Sequence, residues 1–468
     1  MRPNLSEPFF SFFSYSPALF FGLLVALGSA TALYPPSAVF FLLVLPLGTR
    51  IILQSLLIVS VSFVYTVFNL PESDAHYEDA TFTIKDFRPL STPFSKLLIA
   101  HGVIKDKTQK TARCSFRVKS LPKKGAKLHF DSVERKHSRL IGTPDREIAS
   151  VGIPFAHYRY HVKKSVLAYI AKRYEDPLAR GFLQAVTTGF STSTLVDEHF
   201  ARCGLSHILA VSGFHFSLFL AGIYFLFFTF FGKKSVAFSC ALFASLLNFY
   251  FGETASVLRA YEMSLLLFFG MLIGATPKPL NLLGIALICS LTLNPLSIAS
   301  LGFQLSFSAT LGLLLVYPLF RSFSETLLPK KPYLLLKNRP VIEKVRYYFA
   351  RIFLFSFLLT LSATLATMPI LLAWFHFFPL ASLLYNLFIP PLLALSILLF
   401  LISIFLPFLH VVNGWYLTFV LTPLSYQPEW TMKYLVVTMH PLASLLSLTL
   451  LFGISIFYSK KTTTPLLV

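Results

Sequence analysis

The chain has 468 residues, of which 55% are hydrophobic and 13% are charged, and its formal net charge is +20. A soluble globular protein carries about 25% charged residues, so this composition excludes an ordinary soluble enzyme or binding module. Apolar runs long enough to cross about 30 Å of hydrocarbon recur along the chain, and they predict a polytopic α-helical membrane protein. The first run follows Arg2 without a small-residue cleavage site, so we expect no cleavable signal peptide.

The apolar runs fall into two groups, one on each side of a polar region. Residues 1–70 contain the first group, at roughly 17–33, 37–48 and 51–69. Residues 205–460 contain the second, which we place near 205–231, 235–252, 256–274, 280–296, 300–320, 351–375, 380–406, 412–426 and 439–458. The pattern predicts about 11 or 12 spans.

The polar region 71–175 is predicted to be a separate extracytoplasmic domain. It holds 21 Lys and Arg against 11 Asp and Glu. Its apolar residues alternate with polar ones, as Phe82 and Ile84 do with Thr81 and Thr83, which is typical of half-buried antiparallel strands. We therefore expect a small β-barrel or sandwich, followed at 176–204 by an amphipathic or re-entrant segment at the membrane surface.

Basic residues in the short loops predict the orientation. Arg50, Lys233, Lys234 and Lys278, together with the N-terminus and the basic stretch 321–351, should be cytoplasmic. When the spans are counted from these cytoplasmic loops, residues 71–175 and the beginning of the 205–231 span fall on the outer side. We expect a multi-pass protein of a bacterial cytoplasmic membrane.

The stretch GLSHILAVSGFHF, residues 204–216, carries polar residues into an apolar run. Ser212 and Gly213 should interrupt the helix, and polar residues at membrane depth either join helices or line a cavity. Clustering favours the lining interpretation, for which the candidates are Gly204, His207, Ser212, Gly213 and His215.

Further polar residues occur in later spans. Arg259 and Glu262 are three residues apart on one helical face, so we expect them to pair. Asn294 and Gln304 flank a turn, and Asn386 precedes Pro390 and Pro391, which we expect to break a helix. For Gln304, bracing and lining interpretations both stay open.

The outer domain offers a possible phosphate-binding surface. Its basic residues should lie on the solvent side of one hairpin, where they could track a nucleic-acid backbone or serve only as a solvated face. The candidates are Arg113, Arg117, Lys119, Lys123, Lys124, Lys127 and His129. The four cysteines show no metal-type spacing, so we expect neither a metal nor a cofactor.

Four blocks in this order resemble the ComEC family of competence proteins, which are inner-membrane DNA uptake channels. The family pattern GLxHLLAxSGxH is matched at residues 204–215, and an Arg-Ala pair follows at 259–260. An Asn-Pro pair at 294–295 with a GFQLSF block at 302–307 comes next, and Thr367, Pro369, Asn386 and Pro390 match the last block. The resemblance is strong over about 176–400 and weaker over 71–165.

The resemblance implies an extracytoplasmic OB-like domain and transport of single-stranded DNA across the cytoplasmic membrane in natural transformation. It implies as partners the DNA strand, the lipid bilayer, an outer DNA receptor and a cytoplasmic helicase or ATPase, with a monomer or a homodimer both open. Family members often add a metallo-β-lactamase-like domain after the channel. The chain has no HxHxDH run, so we expect a channel rather than an enzyme.

Two other functions stay open. The same polar spans would suit a secondary transporter of a small anionic metabolite, although such a carrier has no evident need for a basic outer domain. A non-catalytic scaffold of an envelope complex is the second. An intramembrane serine protease is disfavoured because both candidate His lie on the same helix as Ser212.

Overall fold

The structure is a computed structural model. It describes residues 16–38, 49–68, 74–89, 98–105, 111–118, 127–136, 139–141, 146–148, 155–228, 230–252, 254–329, 340–426 and 434–459. They form a polytopic helical assembly that carries a six-stranded sheet and a second sheet of two short strands. Residues 39–48 of the predicted span at 37–48, and residues 330–339 of the basic stretch 321–351, lie outside the described residues. So do Lys460 and Lys461, which the sequence also predicts to be cytoplasmic.

Two apolar helices open the described chain, α1 at Pro17–Leu33 and α2 at Thr49–Phe68. A Cβ on Gly28 of α1 would lie 2.5 Å from the Val59 carbonyl oxygen of α2. Ser29 and Ser62 also bond across this contact, with 3.0 Å between their hydroxyl oxygens. Small residues permit this close approach of the two backbones. Inside a membrane, dispersion forces and hydrogen bonds then stabilise the contact between the helices.

Six strands follow α2. They are β1 at Asp74–Pro89, β2 at Leu98–Lys105, β3 at Thr111–Val118, β4 at Lys127–Lys136, β5 at Arg139–Ile141 and β6 at Arg146–Ile148. Their order in the sheet is β1-β2-β3-β5-β4-β6, and β1 also pairs with β4. The strands β1, β2, β3, β5 and β4 therefore pair in a closed circuit. We call this circuit the barrel.

The barrel confirms the strands that alternation predicted. Phe82, Phe116 and Phe130 point inward and are at most 8% exposed, and the rings of Phe116 and Phe130 meet edge to face at 5.3 Å. The predicted hairpin of β3 with β4 is wrong, however. β3 pairs with β2 and β5, whereas β4 pairs with β1, β5 and β6, because closing the barrel inserts β5 between them.

Three helices connect the barrel to the rest of the assembly: α3 at Phe155–Arg173, α4 at Pro177–Thr188 and α5 at Thr194–Arg202. Asp176 caps α4 by accepting from the backbone N–H groups of residues 178 and 179. Every residue from Gly181 to Thr188 is buried. This half of the segment 176–204 is thus enclosed by protein, whereas the sequence predicted a segment at the surface.

The remaining elements cover residues 206–459. They are α6 at Ser206–Leu209, α7 at Gly213–Phe228, α8 at Lys233–Phe251, α9 at Ala255–Leu272, α10 at Pro279–Leu293, a 3₁₀ turn at Pro295–Ala299, α11 at Leu301–Leu327, α12 at Val341–Phe375, β7 at Phe377–Pro379, α13 at Ser382–Ser403, α14 at Leu409–Ser425, β8 at Tyr434–Val436 and α15 at Pro441–Ser459. Helix α12 continues through Pro369 and α13 through Pro390 and Pro391, so these prolines do not end helices as predicted.

Five helices within the described residues are long and apolar enough to cross a membrane, namely α8, α9, α11, α12 and α13. Shorter apolar helices of 10–17 residues occur in α1, α2, α7, α10 and α15. Large apolar side chains such as Phe238 on α8 and Phe269 on α9 are more than 60% exposed. In a membrane protein such side chains face lipid.

Candidate functional site

The polar stretch at 204–215 forms a broken helix. The short helix α6 ends at Leu209, Ala210 adopts an extended conformation, and α7 begins at Gly213. Ser212 and His215 cap the N-terminal end of α7 by bonding to each other. The His215 N–H lies 3.4 Å from the Ser212 hydroxyl, and the Ser212 N–H lies 3.3 Å from His215 Nδ1. The predicted break is confirmed, and it places a helix N-terminus inside the assembly.

Three helices meet at this break. The Gly213 N–H donates to the Ser256 hydroxyl of α9 at 3.1 Å, and the Ser306 hydroxyl of α11 donates to the same oxygen at 3.4 Å. Each residue lies in the first two turns of its helix. Helix N-termini carry unpaired N–H groups and the positive end of the helix dipole, so the electrostatic potential here favours an anion.

Arg259 of α9 extends into the same junction. Its Nη2 lies 2.5 Å from the place that a Cβ on Gly213 would occupy, so a larger residue there would have to displace the guanidinium. The Arg259 Nε is buried and has no hydrogen-bond partner among the described residues. We call the group of Gly213, Ser256, Arg259 and Ser306 the arginine junction.

The predicted pair of Arg259 with Glu262 does not form between these described residues. Glu262 turns instead to α10, where its Oε2 accepts from the Ser290 hydroxyl at 2.7 Å. A spacing of three residues places two side chains on adjoining parts of a helix surface, but the helices packed on either side decide where each one goes. Arg259 is therefore left without a carboxylate among the described residues.

His207 lies beside the junction and has a different environment from His215. It lies next to Asn386 of α13, and its side chain is exposed. His215 is only 2% exposed and serves the helix cap. The contacts of His215 indicate a capping role, and the lining role of His207 stays a prediction.

Gly204 explains the approach of α13 to this site. Its φ is +69°, a conformation in which L side chains are strained. A Cβ there would lie 2.6 Å from Cγ of Pro379 and 2.7 Å from Cβ of Ser382. The glycine lets the start of α13 pack against the turn before α6, which carries Asn386 towards His207.

Asn294 and Gln304 act as braces. The Asn294 amide donates to the Ser297 hydroxyl at 2.8 Å and holds the 3₁₀ turn. Gln304 donates to the Ile298 carbonyl at 2.9 Å and accepts from the Trp374 indole at 3.0 Å. For Gln304, where two interpretations were open, the contacts favour bracing.

Five buried polar atoms on α8, α9 and α13, or at their ends, have no hydrogen-bond partner among the described residues. They are Asn248 Oδ1, Thr254 Oγ1, Arg259 Nε, Glu262 Oε1 and Asn386 Oδ1. An unsatisfied buried polar group costs about 1–3 kcal/mol, so such atoms rarely occur together unless water or a polar ligand satisfies them. These atoms show that α8, α9 and α13 carry polar groups in the interior of an otherwise apolar assembly.

Of the candidate basic residues of the barrel, the structure describes the side chains of Arg117 and His129. Arg117 of β3 is exposed, and Arg113 lies on the same strand opposite Val103. His129 of β4 is 9% exposed and its Nε2 lies 3.1 Å from Asp79, so it does not join a solvent-facing basic surface as predicted. Lys127 is placed on β4, and Lys119, Lys123 and Lys124 lie outside the described residues.

The family model described as Competence protein matches residues 187–462, more than half of the chain. The chain belongs to the competence protein family. The ComE operon protein 3 of Bacillus subtilis (strain 168) is similar at 26% identity over 225 residues, which cover 47% of this chain. The chain spans about a quarter of the length of that relative, 26%. No solved structure matches the chain.

The competence family match contains the whole arginine junction, His207 and Asn386, whereas the barrel and α3 precede it. Sequence reasoning missed Ser256, which joins α7, α9 and α11. Its position three residues before Arg259 puts both side chains on one helical face, which is the pattern that could have identified it.

Proposed function

We propose that this competence family protein forms a conduit through which single-stranded DNA crosses the cytoplasmic membrane during DNA uptake. The observation that carries the proposal is the arginine junction. It combines a guanidinium that has no carboxylate partner among the described residues with the N-terminal ends of α7, α9 and α11. Guanidinium groups and helix N-termini are the groups that proteins use to bind phosphate.

The surroundings of the junction support a hydrated path. A phosphate chain cannot cross hydrocarbon without polar surroundings. His207 lies next to Asn386, and Asn386 Oδ1 and Thr254 Oγ1 are buried polar atoms without a hydrogen-bond partner among the described residues. Gly204, Ser212 and His215 hold the broken helix in shape. In this proposal Arg259 and His207 contact the strand, whereas Asn294, Gln304 and Glu262 hold the helices that carry them.

The barrel is proposed to be an OB-like domain that collects DNA outside the membrane. Five strands that pair in the closed order β1-β2-β3-β5-β4 support the assignment, since the OB-fold is a five-stranded Greek-key barrel. The exposed Arg117 is the described barrel residue that we propose contacts phosphate, with Arg113, Lys119, Lys123, Lys124 and Lys127 as further candidates. Basic surfaces of such barrels bind single strands.

The orientation and boundaries are part of the proposal. Helices α7, α9, α11 and α13 begin on one side, which we take as the outer side, because Lys233, Lys234 and Lys278 lie at the opposite ends of these helices. We propose an N-terminal membrane region at 1–70, the outer domain at 71–175, a connecting segment at 176–204 and the channel at 205–460. An outer DNA receptor and a cytoplasmic helicase or ATPase are the proposed partners.

Uptake of labelled DNA into a DNase-protected state tests the proposal. Cells whose uptake depends on this chain would carry either the wild type or Arg259→Gln, and we expect the variant to lower uptake by about tenfold or more, which corresponds to about 1.4 kcal/mol. Arg321→Gln is the matched control because Arg321 is exposed at the far end of α11 and paired with Glu325. Normal DNA uptake by Arg259→Gln at normal protein level would contradict the proposal, and loss of phosphate uptake alone would favour a small-anion carrier.

A further inference from the structure

Helix α3 has an unusual charge pattern. Its 19 residues include the five cations Arg159, Lys163, Lys164, Lys172 and Arg173, two histidines, and no Asp or Glu. A solvated helix usually mixes charges of both signs. The cations on one side of α3 contact the channel, whereas those on the other side are exposed.

The inner side fixes α3 to the channel. Lys163 is only 2% exposed; its Nζ donates to the Phe251 carbonyl oxygen at 3.1 Å and lies 4.6 Å from the Phe190 ring centre. Arg159 stacks over Phe249 at 5.3 Å. A cation at the C-terminal end of α8 is stabilised by the helix dipole, and these contacts hold α3 in one position.

The same helix is fixed to the barrel. Ala156 is 4% exposed and belongs to the barrel's apolar core, and Tyr160 packs against that core. Phe251, which accepts the bond from Lys163, lies three residues before Thr254 and eight before Arg259 along the chain. Helix α3 therefore forms the structural link between the barrel and the arginine junction.

The outer side of α3 is open. Tyr158, His161, Lys164 and Lys172 are all exposed, and their spacing places them within one broad face of an α-helix. We call these four residues the outer face of α3. Tyr158 is 61% exposed. The outer face therefore presents an aromatic ring near the barrel, followed by positive charges along the helix.

We propose that the outer face of α3 binds the phosphate backbone of single-stranded DNA between the barrel and the arginine junction. This inference rests on the proposed function. Lysines spaced along a helix suit the repeated charge of a nucleic-acid backbone, and an exposed tyrosine can stack on a base. An anionic lipid surface is the less suitable ligand, because anionic lipid is concentrated in the cytoplasmic leaflet and α3 belongs to the proposed outer domain 71–175.

Salt-dependent binding of a fluorescent oligothymidylate to the purified full chain in detergent tests this inference. Each phosphate contact with a single strand contributes about 0.7 to the slope of log K against log salt concentration. We expect K164Q/K172Q to lower the magnitude of that slope by about 1.4. The matched control is K233Q/K234Q, which removes the same charge from the start of α8 and should leave the slope unchanged.

The outcomes separate the two proposals. An unchanged slope in K164Q/K172Q, with binding lowered by Arg117→Gln, would overturn the role of α3 and leave the proposed function standing. No binding of the oligonucleotide by the wild type at low salt would contradict the proposed function itself. Loss of binding to vesicles of anionic phospholipid, with oligonucleotide binding unchanged, would assign the outer face to a membrane surface and overturn the inference.

Discussion

The Arg259 guanidinium occupies the space that a side chain at Gly213 would need. The distance from Nη2 to the Cβ position is 2.5 Å, shorter than any ordinary carbon–nitrogen contact. The start of α7 and the cation of α9 are therefore matched to each other, and the glycine of the SGFH motif has a physical reason.

Gly213→Ala should displace Arg259 and lower DNA uptake by roughly tenfold, equivalent to about 1.4 kcal/mol. Gly222→Ala is the matched control, since Gly222 lies on the same helix and a Cβ there would have nothing within 4 Å. Alanine in a helix interior is favoured over glycine by about 0.5–1 kcal/mol, so the control should fold at least as well as the wild type. Equal uptake by the two variants would show that the contact has no functional role.

Ser256→Ala should destabilise the arginine junction. It removes the acceptor of the Gly213 N–H and the partner of Ser306, and an unsatisfied buried donor costs about 1–3 kcal/mol. Thermal unfolding in detergent measures the change. Ser165→Ala removes a hydroxyl that bonds only to its own helix, at the His161 carbonyl, so its melting temperature should stay close to that of the wild type. Equal melting temperatures for both variants would be evidence against the junction as a structural unit.

Substitutions of the neighbours Lys163 and Lys164 should differ in the size of their effect on stability. Lys163→Gln leaves the Phe251 carbonyl without its charged donor and should lower the free energy of unfolding by about 1–3 kcal/mol. Lys164 is exposed, so Lys164→Gln should change it by less than about 0.5 kcal/mol. Denaturant unfolding of the two variants measures the difference, and a larger effect for Lys164 would contradict the placement of α3.

His157 and His161 predict a dependence of stability on pH. Their Nε2 atoms are 2.8 Å apart, and burial, followed by the charge of His161, lowers the pKa of His157 below 6.5. The unfolded chain then binds more protons than the folded one as pH falls through about 6.5, so stability should decrease in that direction. His161→Gln should make the melting temperature less dependent on pH between about 7.5 and 5. A dependence that stays equally steep would assign the effect to other groups.

Local patterns predicted local structure well. Alternation of Phe82 and Ile84 with polar neighbours predicted strands because a strand has a period of two, and Ser212 with Gly213 predicted the helix break because these residues favour caps and turns. The positions of the apolar runs also agreed with the apolar helices, although α7 begins at Gly213 rather than near residue 205.

Partners across the fold could not be predicted in the same way. The spacing of Arg259 and Glu262 showed a shared face, but α7 and α10 lie on different sides of α9 and separate the two side chains. The β3–β4 hairpin was wrong because closure of the barrel, which depends on the whole sheet, decides which strands pair. Sequence also could not predict that His215 bonds to Ser212 at the start of α7, because that contact depends on the exact position of the helix break.

Photocrosslinking tests the central claim most directly. A single-stranded oligonucleotide with photoreactive bases would be stalled during uptake through the wild-type chain, and crosslinked peptides would be identified by mass spectrometry. The proposed path predicts crosslinks within residues 204–213 and 254–262, around Arg259 and His207. Crosslinks confined to the barrel, or to lipid-facing positions such as Phe238 and Phe269, would contradict passage of the strand through the arginine junction.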